Sequence, residues 1–269
     1  MSKNKNNRPL LDISILTAGR SDLFEKCVDA LLPQMKDEYR IQVVNNGYPS
    51  EKYEEIYKKL PEGSTIKRLN QNIGFGGGAN SAIKVGNAPL ILFVSDDIYL
   101  QEGTIDRLVR VMDDPTIGLS GYKFLFPLDS SDQNRPAGKV QHVGLGINIR
   151  GEITHPLIGW NPNNSKCNKS RDVQAVTGAS FIIRRSVFNK TGGFNPIYGT
   201  GYYEDIDLCM TINSLGFRVH VDTVATAEHG VSQTFDMVQD KSTIPLQRNK
   251  QIFQSRWVGK LQWDDFTFW

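Results

Sequence analysis

Residues 90–97 read Leu90-Ile-Leu-Phe-Val-Ser-Asp-Asp97, five apolar side chains in a row closed by a hydroxyl and two carboxylates. An unbroken apolar run of that length fits a strand covered on both faces, as in a parallel sheet, better than a strand with one face in water. The upstream segments agree. Leu11 to Leu16 reads as a buried strand that ends in the turn Thr17-Ala18-Gly19-Arg20. A helix follows, with Asp22 as N-cap and Glu25 three residues on, and with Leu23, Cys27, Ala30 and Leu31 on one face. Ile41 to Val44 reads as a second strand, Ser50 to Leu60 as a helix and Thr65 to Leu69 as a third strand. A glycine-rich loop, Asn72-Ile-Gly-Phe-Gly-Gly-Gly-Ala-Asn80, then leads into a small-residue helix over Ala79 to Val85. After Asp97, Ile105, Leu108, Val109 and Met112 recur at helical spacing. This alternation predicts an α/β fold, a mixed but mostly parallel sheet with right-handed crossovers, flanked by helices. Ligands of such sheets bind beyond the carboxyl ends of the strands. The tips after Leu16, Val44, Leu69 and Val94 should therefore share one rim carrying Arg20, Asn45-Asn46, the glycine loop and Asp96-Asp97.

Beyond Gly118 the pattern changes. Pro, Gly, Asn and Asp punctuate short strands from Gly121 to Ser170. Order returns with Val173 to Arg184, a helix over Glu204 to Leu215 with Leu208, Ile212 and Leu215 on one face, and two short strands, Phe217 to Val221 and Ala225 to His229. We read one composite domain: a disordered tail over 1–9, a first lobe over 10–120, a second over 121–240, and a helical, aromatic tail over 241–269. At 269 residues the chain can bury a core without staples. Its 39% hydrophobic content excludes a disordered chain, and a net charge of +2 gives no general attraction to nucleic acid. Cys27, Cys167 and Cys209 are far apart, so neither a disulfide framework nor a zinc cluster is expected, which suits a reducing compartment. The polar start, Met1 to Pro9, predicts no signal peptide, and no apolar run is long enough to span a bilayer. A cytoplasmic protein is expected.

Several groups could carry chemistry, each with a plainer alternative. Ser95-Asp96-Asp97 at a strand's carboxyl end suits a hard cation shared with phosphates, or simply a turn. The glycine loop lets backbone approach a ligand at a helix start, or lets a tight connection pack against a neighbour; it is neither a G-x-G-x-x-G nor a Walker motif. In Tyr202-Tyr203-Glu204-Asp205-Ile206-Asp207, acids at a helix start complement the dipole, or one of them is a general base. The dipole lowers a carboxylate's pKa, so burial would have to oppose it. His229 can ligate a metal or be an ordinary residue, and His142, His155 and His220 have no partner visible in the sequence. The tail from Arg248 to Trp269 mixes basic and aromatic residues. That fits a membrane-surface helix, or an amphipathic helix closing over the domain with Phe253, Trp257 and Leu261 at i, i+4 and i+8.

In this order the segments resemble a family-2 glycosyltransferase of the GT-A (Rossmann-like) fold, in its rhamnosyltransferase-like branch. Ile13-Ser-Ile-Leu-Thr-Ala-Gly-Arg20 resembles the first strand and donor turn, Val43-Val-Asn-Asn-Gly47 the segment that usually reads Val-Asp-Asn, and Asn70 to Asn80 the Asn-x-Gly-rich loop. Phe93-Val-Ser-Asp-Asp97 stands where the metal motif belongs. Val176-Thr-Gly-Ala-Ser-Phe-Ile-Ile-Arg-Arg185 with Gly192-Gly-Phe194 is similar to the acceptor-side stretch, and Tyr203-Glu-Asp-Ile-Asp-Leu208 to the E-D motif. His229-Gly-Val-Ser232 and Phe253-Gln-Ser-Arg-Trp257 resemble later landmarks.

The resemblance implies a nucleotide-sugar lobe over 10–120 and an acceptor-side lobe after it. It implies Mn²⁺ or Mg²⁺ on Asp97 with His229 as second ligand, and Asp205 as general base with Glu204 beside it. Thr17, Ala18, Gly19, Arg20, Asn45, Asn46, Asn72, Gly74, Gly76, Asn80, Ser95 and Asp96 would line the donor pocket, and Trp160, Gly178 and Tyr203 the acceptor side. The implied activity is inverting transfer of a sugar from a UDP- or dTDP-linked donor to a hydroxyl of a glycan or lipid-linked acceptor, in polysaccharide assembly, with peripheral membrane contact and no nucleic acid. Asn45 replaces the family's usual aspartate, and Ser95 an acid at the first position of the metal motif; an amide oxygen can still accept a base N–H, without charge. Two rival readings are a nucleotidyltransferase and a catalytically degenerate nucleotide-sugar-binding module.

Overall fold

The computed structural model describes residues 8–230 and 245–261. The first half alternates as expected: β1 (Leu11–Thr17), α1 (Ser21–Leu31), β2 (Tyr39–Asn45), α2 (Glu51–Tyr57), β3 (Thr65–Arg68), α3 (Gly74–Ile83), β4 (Leu90–Ser95), β5 (Ile98–Leu100) and α4 (Thr104–Val111). Next come β6 (Ile117–Leu125), β7 (Val140–His142), β8 (Gly146–Ile147), β9 (Ile153–Thr154), β10 (Arg171–Asp172), β11 (Ser180–Arg184), α5 (Arg185–Thr191), α6 (Glu204–Ser214), β12 (Arg218–His229) and α7 (Leu246–Trp257). The main sheet runs β10-β12-β6-β11-β4-β1-β2-β3, with β5 on β12 and β7 on β6. Strands β4, β1, β2 and β3 are parallel neighbours, β12 is parallel to β6, and β11 runs antiparallel between β4 and β6. This is a mixed, mostly parallel GT-A-type sheet with an added lobe.

Strand β4 shows why its sequence has no polar break. Leu90, Leu92 and Val94 belong to the core under α1, α2 and α4, with Phe24, Val28, Ile56 and Leu108. Ile91 and Phe93 face the opposite core under α3, α5 and α6, with Ala79, Phe188 and Ile206. With period two, both faces demand apolar side chains. Because β1 to β4 run in one direction, their carboxyl ends form a single rim, and that rim holds the site.

The structure corrects several local expectations. Helix α1 begins at Ser21 with Arg20 at the cap position, and Asp22 sits in its first turn, paired with the Arg20 guanidinium at 2.7 Å. The glycine segment is not a loop before a helix: α3 starts at Gly74 and is built from those glycines. Packing explains this, because a Cβ on Gly78 would stand 2.5 Å from Leu16 Cδ1 and one on Gly76 would stand 3.0 Å from Phe194 Cβ. The two strands expected over 217–229 are one strand, β12, with an irregularity between Asp222 and Thr226. Buried Asp222 seals it, accepting the N–H groups of Val224 and Ala225 on Oδ1 and the Arg107 guanidinium on Oδ2. Leu215 lies just past α6 and is exposed. In the tail, Phe253 and Trp257 are buried on α7, as the amphipathic alternative expects. The helix ends at Trp257, so Leu261 packs against the same core from beyond it rather than from the helix face. The rest of that aromatic tail, the Val231-Ser232 end of the histidine motif and residues 1–7 of the expected tail lie outside the described residues. Among the described residues no helix is long and apolar enough to cross a membrane.

Candidate active site

One cleft of about 1010 Å³ opens at the carboxyl rim of the sheet. Its lining comes from two parts of the chain: Ala18, Asn46, Asn72, Ser95, Asp96 and Asp97, joined by His229, make one wall, and Gly178, Tyr203, Glu204 and Asp205 make another. Residues more than 100 positions apart meet here because β11 and β12 return to the sheet beside β4 and β5.

The first wall is acidic. Asp96 is buried and accepts the Ala18 N–H at 3.1 Å, and burial, reinforced by the charge of Asp97, pushes its carboxyl up to about 7. Asp97 opens the turn into β5, and β5 pairs antiparallel with the end of β12, setting His229 opposite Ile98. The Gly230 N–H donates to the Asp97 carbonyl at 2.9 Å. This pairing carries His229 Nε2 to 3.5 Å from Asp97 Oδ2. The far side of the ring meets Gln141, whose Oε1 lies 2.7 Å from His229 Nδ1 and whose Nε2 donates to the His229 carbonyl at 3.4 Å. A carboxylate oxygen and an imidazole nitrogen at that separation suit Mn²⁺ or Mg²⁺, with manganese the more tolerant of nitrogen. No group of three or more such ligands occurs among the described residues, so an ion here would complete its shell with diphosphate oxygens and water.

The second wall is the start of α6. Tyr202 and Tyr203 both adopt left-handed backbone, with φ of 71° and 74°. Such conformations cost side-chain-bearing residues free energy and persist where the surroundings hold them. Here Asn249 of α7 supplies the hold: its side-chain amide is fully buried and donates to the carbonyls of Tyr198, Gly201 and Tyr202. The loop delivers two neighbouring acids. Asp205 Oδ2 accepts the Gly178 N–H at 2.7 Å and Oδ1 accepts the Ile206 N–H at 2.9 Å. Glu204 is buried, and its Oε2 has no hydrogen-bond partner among the described residues. Burial raises both carboxyls above their usual range, and for Glu204 the charge of Asp205 adds to it. Burial thus outweighs the helix dipole at this terminus.

The family model described as Glycosyl transferase family 2 matches residues 12–192. The chain belongs to this family. An uncharacterized protein, y4gI, of Sinorhizobium fredii is 24% identical over 78% of this chain and 23% of its own length. The O-antigen biosynthesis protein RfbC of Myxococcus xanthus is 26% identical over 78% of this chain and 16% of its own. The chain thus spans less than a quarter of either relative. Among solved structures, GalNAc-T7, crystallised with UDP, GalNAc and Mn²⁺, superposes with a TM-score of 0.68 over 98% of this chain and 50% of its own, at 13% identity. That likeness concerns the fold. The family match includes Asp97 and Gly178, whereas Asp205 and His229 lie beyond it.

Several residues expected at the donor pocket sit under the cleft or beside it. Thr17 is fully buried, its hydroxyl paired with that of Tyr53, which also accepts the Gly19 N–H. Arg20 is engaged with Asp22. Asn45 spends its amide on the turn: Nδ2 donates to the Tyr48 carbonyl and the Tyr57 hydroxyl, and Oδ1 accepts the Tyr48 N–H. Gly74 and Gly76 are helix-packing positions, and Asn80 holds both backbone groups of Phe194. Trp160 is half exposed and does not line the cleft. Conversely, Tyr48, Arg135 and Gln141, which nothing in the local sequence marks, line it, as does His155. His142 and His155 do have partners: their Nδ1 atoms lie 3.3 Å apart, and His142 Nε2 accepts the Gly144 N–H. Apart from Tyr48, these residues come from the irregular stretch after Gly121, where no periodicity announces what will fold against the rim.

Proposed function

We propose that this glycosyltransferase moves a sugar, with inversion, from a nucleoside-diphosphate donor to an acceptor hydroxyl. What carries the reading is that Asp97 and Asp205 line one cleft, where a leaving diphosphate and an attacking hydroxyl would be held on opposite faces of one sugar. Asp205 takes the acceptor proton as the oxygen bonds to the anomeric carbon; the bond from that carbon to the diphosphate breaks and its electron pair leaves with the diphosphate. The transition state is oxocarbenium-like. A carboxyl raised by burial is a stronger base than an ordinary aspartate, and two backbone N–H groups aim it. Asp97 and His229 would hold a divalent ion, which supplies Lewis-acid stabilisation of the diphosphate charge. Ala18, Asn46 and Asn72 form the donor wall, and Gly178 and Tyr203 border the acceptor side. The rhamnosyltransferase-like pattern favours a UDP- or dTDP-linked donor, and the O-antigen relative supports a role in surface polysaccharide assembly.

The test is release of nucleoside diphosphate from a panel of donors with Mn²⁺. Slow hydrolysis or transfer that falls on the order of 10²-fold in Asp205→Asn supports the reading. Pyrophosphate release from a nucleoside triphosphate and a sugar phosphate would point to a nucleotidyltransferase, and donor binding without turnover to a degenerate module.

A further inference from the structure

We infer that Gln141 is a positioning residue that holds His229 in the imidazole form whose Nε2 offers a lone pair toward Asp97. The inference rests on the reading of Asp97 and His229 as an ion site and adds a residue from a different strand. Gln141 is buried on β7, which reaches β12 through β6: β7 pairs with β6 at Phe124, and Phe124 pairs with Ala227, two residues before His229. Its amide orientation follows from its two contacts. Nε2 donates to the His229 carbonyl, which leaves Oε1 facing the ring at 2.7 Å. The reversed amide would set its oxygen against that carbonyl, two acceptors facing each other.

An amide oxygen can only accept, so His229 Nδ1 must carry the proton. In the neutral ring Nε2 is then unprotonated. Nε2 lies 3.5 Å from Asp97 Oδ2. The ring of Phe124, 5.5 Å away and steeply inclined at 69°, restrains the imidazole plane. Two lone-pair atoms with no proton between them are thus held facing each other across a gap fit for a cation. Partners of this kind, acting through a ligand rather than on the ion, set the ligand's tautomer and typically contribute 10- to 100-fold in metal affinity.

The experiment uses the full chain and two variants. Gln141→Met keeps volume and removes both hydrogen bonds; Gln141→Glu keeps an acceptor for Nδ1–H. The chain has four histidines, so imidazole ¹⁵N spectra recorded without metal can resolve the tautomer of each. The wild type should show His229 protonated on Nδ1, Gln141→Met a mixture, and Gln141→Glu the wild-type form. Binding of Mn²⁺ alone, followed by electron paramagnetic resonance, should weaken about tenfold or more in Gln141→Met and stay near wild type in Gln141→Glu. An unchanged tautomer and unchanged Mn²⁺ affinity in Gln141→Met overturn the inference, as does equal loss in both variants. If the wild type binds no Mn²⁺, the ion-site reading falls, and the tautomer spectra still decide the role of Gln141. Should Gln141→Met not fold, a His229 protonated on Nε2 in the wild type or in Gln141→Glu overturns it.

Discussion

The backbone N–H of Gly178 donates to Asp205 Oδ2 at 2.7 Å, tying the segment before β11 to the first turn of α6. The contact has no room for a side chain: a Cβ on Gly178 would stand 2.9 Å from Asp205 Cβ and 3.2 Å from Phe75 Cε1. Gly178→Ala should therefore push the carboxylate off its line while leaving the Asp97 wall untouched. An ångström of misplacement can cost on the order of 10²-fold in rate. The expected outcome is a kcat lower by 10-fold or more with nucleoside diphosphate affinity unchanged, measured by steady-state kinetics and calorimetry. A parallel loss of binding would mean that the site as a whole had collapsed.

Glu204 offers a pH test. Its folded-state pKa lies above the unfolded value because burial and Asp205 disfavour the charge. The folded chain then holds a proton that the unfolded chain has released. Stability linked to that proton is complete below the unfolded glutamate value and is lost as pH rises through the raised one. Glu204→Gln removes the ionisation at nearly equal volume. Melting temperature should fall from mildly acidic to alkaline pH more steeply in the wild type than in the variant, and curves that stay parallel would sink the assignment.

The glycines of α3 are not equivalent. Gly74 has φ +79°, and an added Cβ would stand 2.6 Å from the Gly199 carbonyl oxygen, a backbone atom that cannot step aside. Gly77 lies within helical backbone, and an added Cβ would meet only the Ile73 side chain, at 3.2 Å or more. Gly74→Ala combines left-handed strain with overpacking and should destabilise by about 2 kcal/mol or more. Gly77→Ala gains helix propensity of up to about 1 kcal/mol and should be near neutral or stabilising. Chemical denaturation of both variants checks the contrast; equal losses would show that the segment acts as a loop after all.

Much of this arrangement is written in local sequence. The apolar run before Asp96 betrays a doubly covered strand, and the β-α alternation orders β1 to β4 and their common rim. What stays hidden is whatever depends on long-range packing. Four glycines in five positions look like a loop because isolated glycine helices are unstable; α3 exists because its glycines let it lie against Leu16 and Phe194. Asn45 looks like a pocket residue by position, yet Tyr57 of α2 and the backbone of Tyr48 in the turn before it consume its amide. Gln141 and His155 come from hairpins with no periodic signal, so only the folded chain reveals that they face the cleft.

Asn249 lies far along the chain from the acids and is fully buried in α7. Its two amide hydrogens serve three carbonyls, those of Tyr198, Gly201 and Tyr202, at 2.7, 2.8 and 3.1 Å. A second tie runs parallel to it: Asp207 Oδ1 accepts from Tyr198 Oη, Arg256 Nε and Trp257 Nε1. Cutting either should matter, but differently. Asn249→Ala leaves buried carbonyls without donors, each costing about 1–3 kcal/mol, and frees the left-handed tyrosines to relax. Asn249→Asp keeps the shape but turns an acceptor toward those carbonyls, so it should be no better than alanine. Both variants should melt earlier, and in the folded fraction kcat should fall while nucleoside diphosphate affinity holds, since the Asn249 side-chain amide donates to the loop before α6 and not to Asp97 or His229. If kcat per folded molecule stayed at the wild-type value, α7 would be a simple lid on the core rather than a support for Glu204 and Asp205.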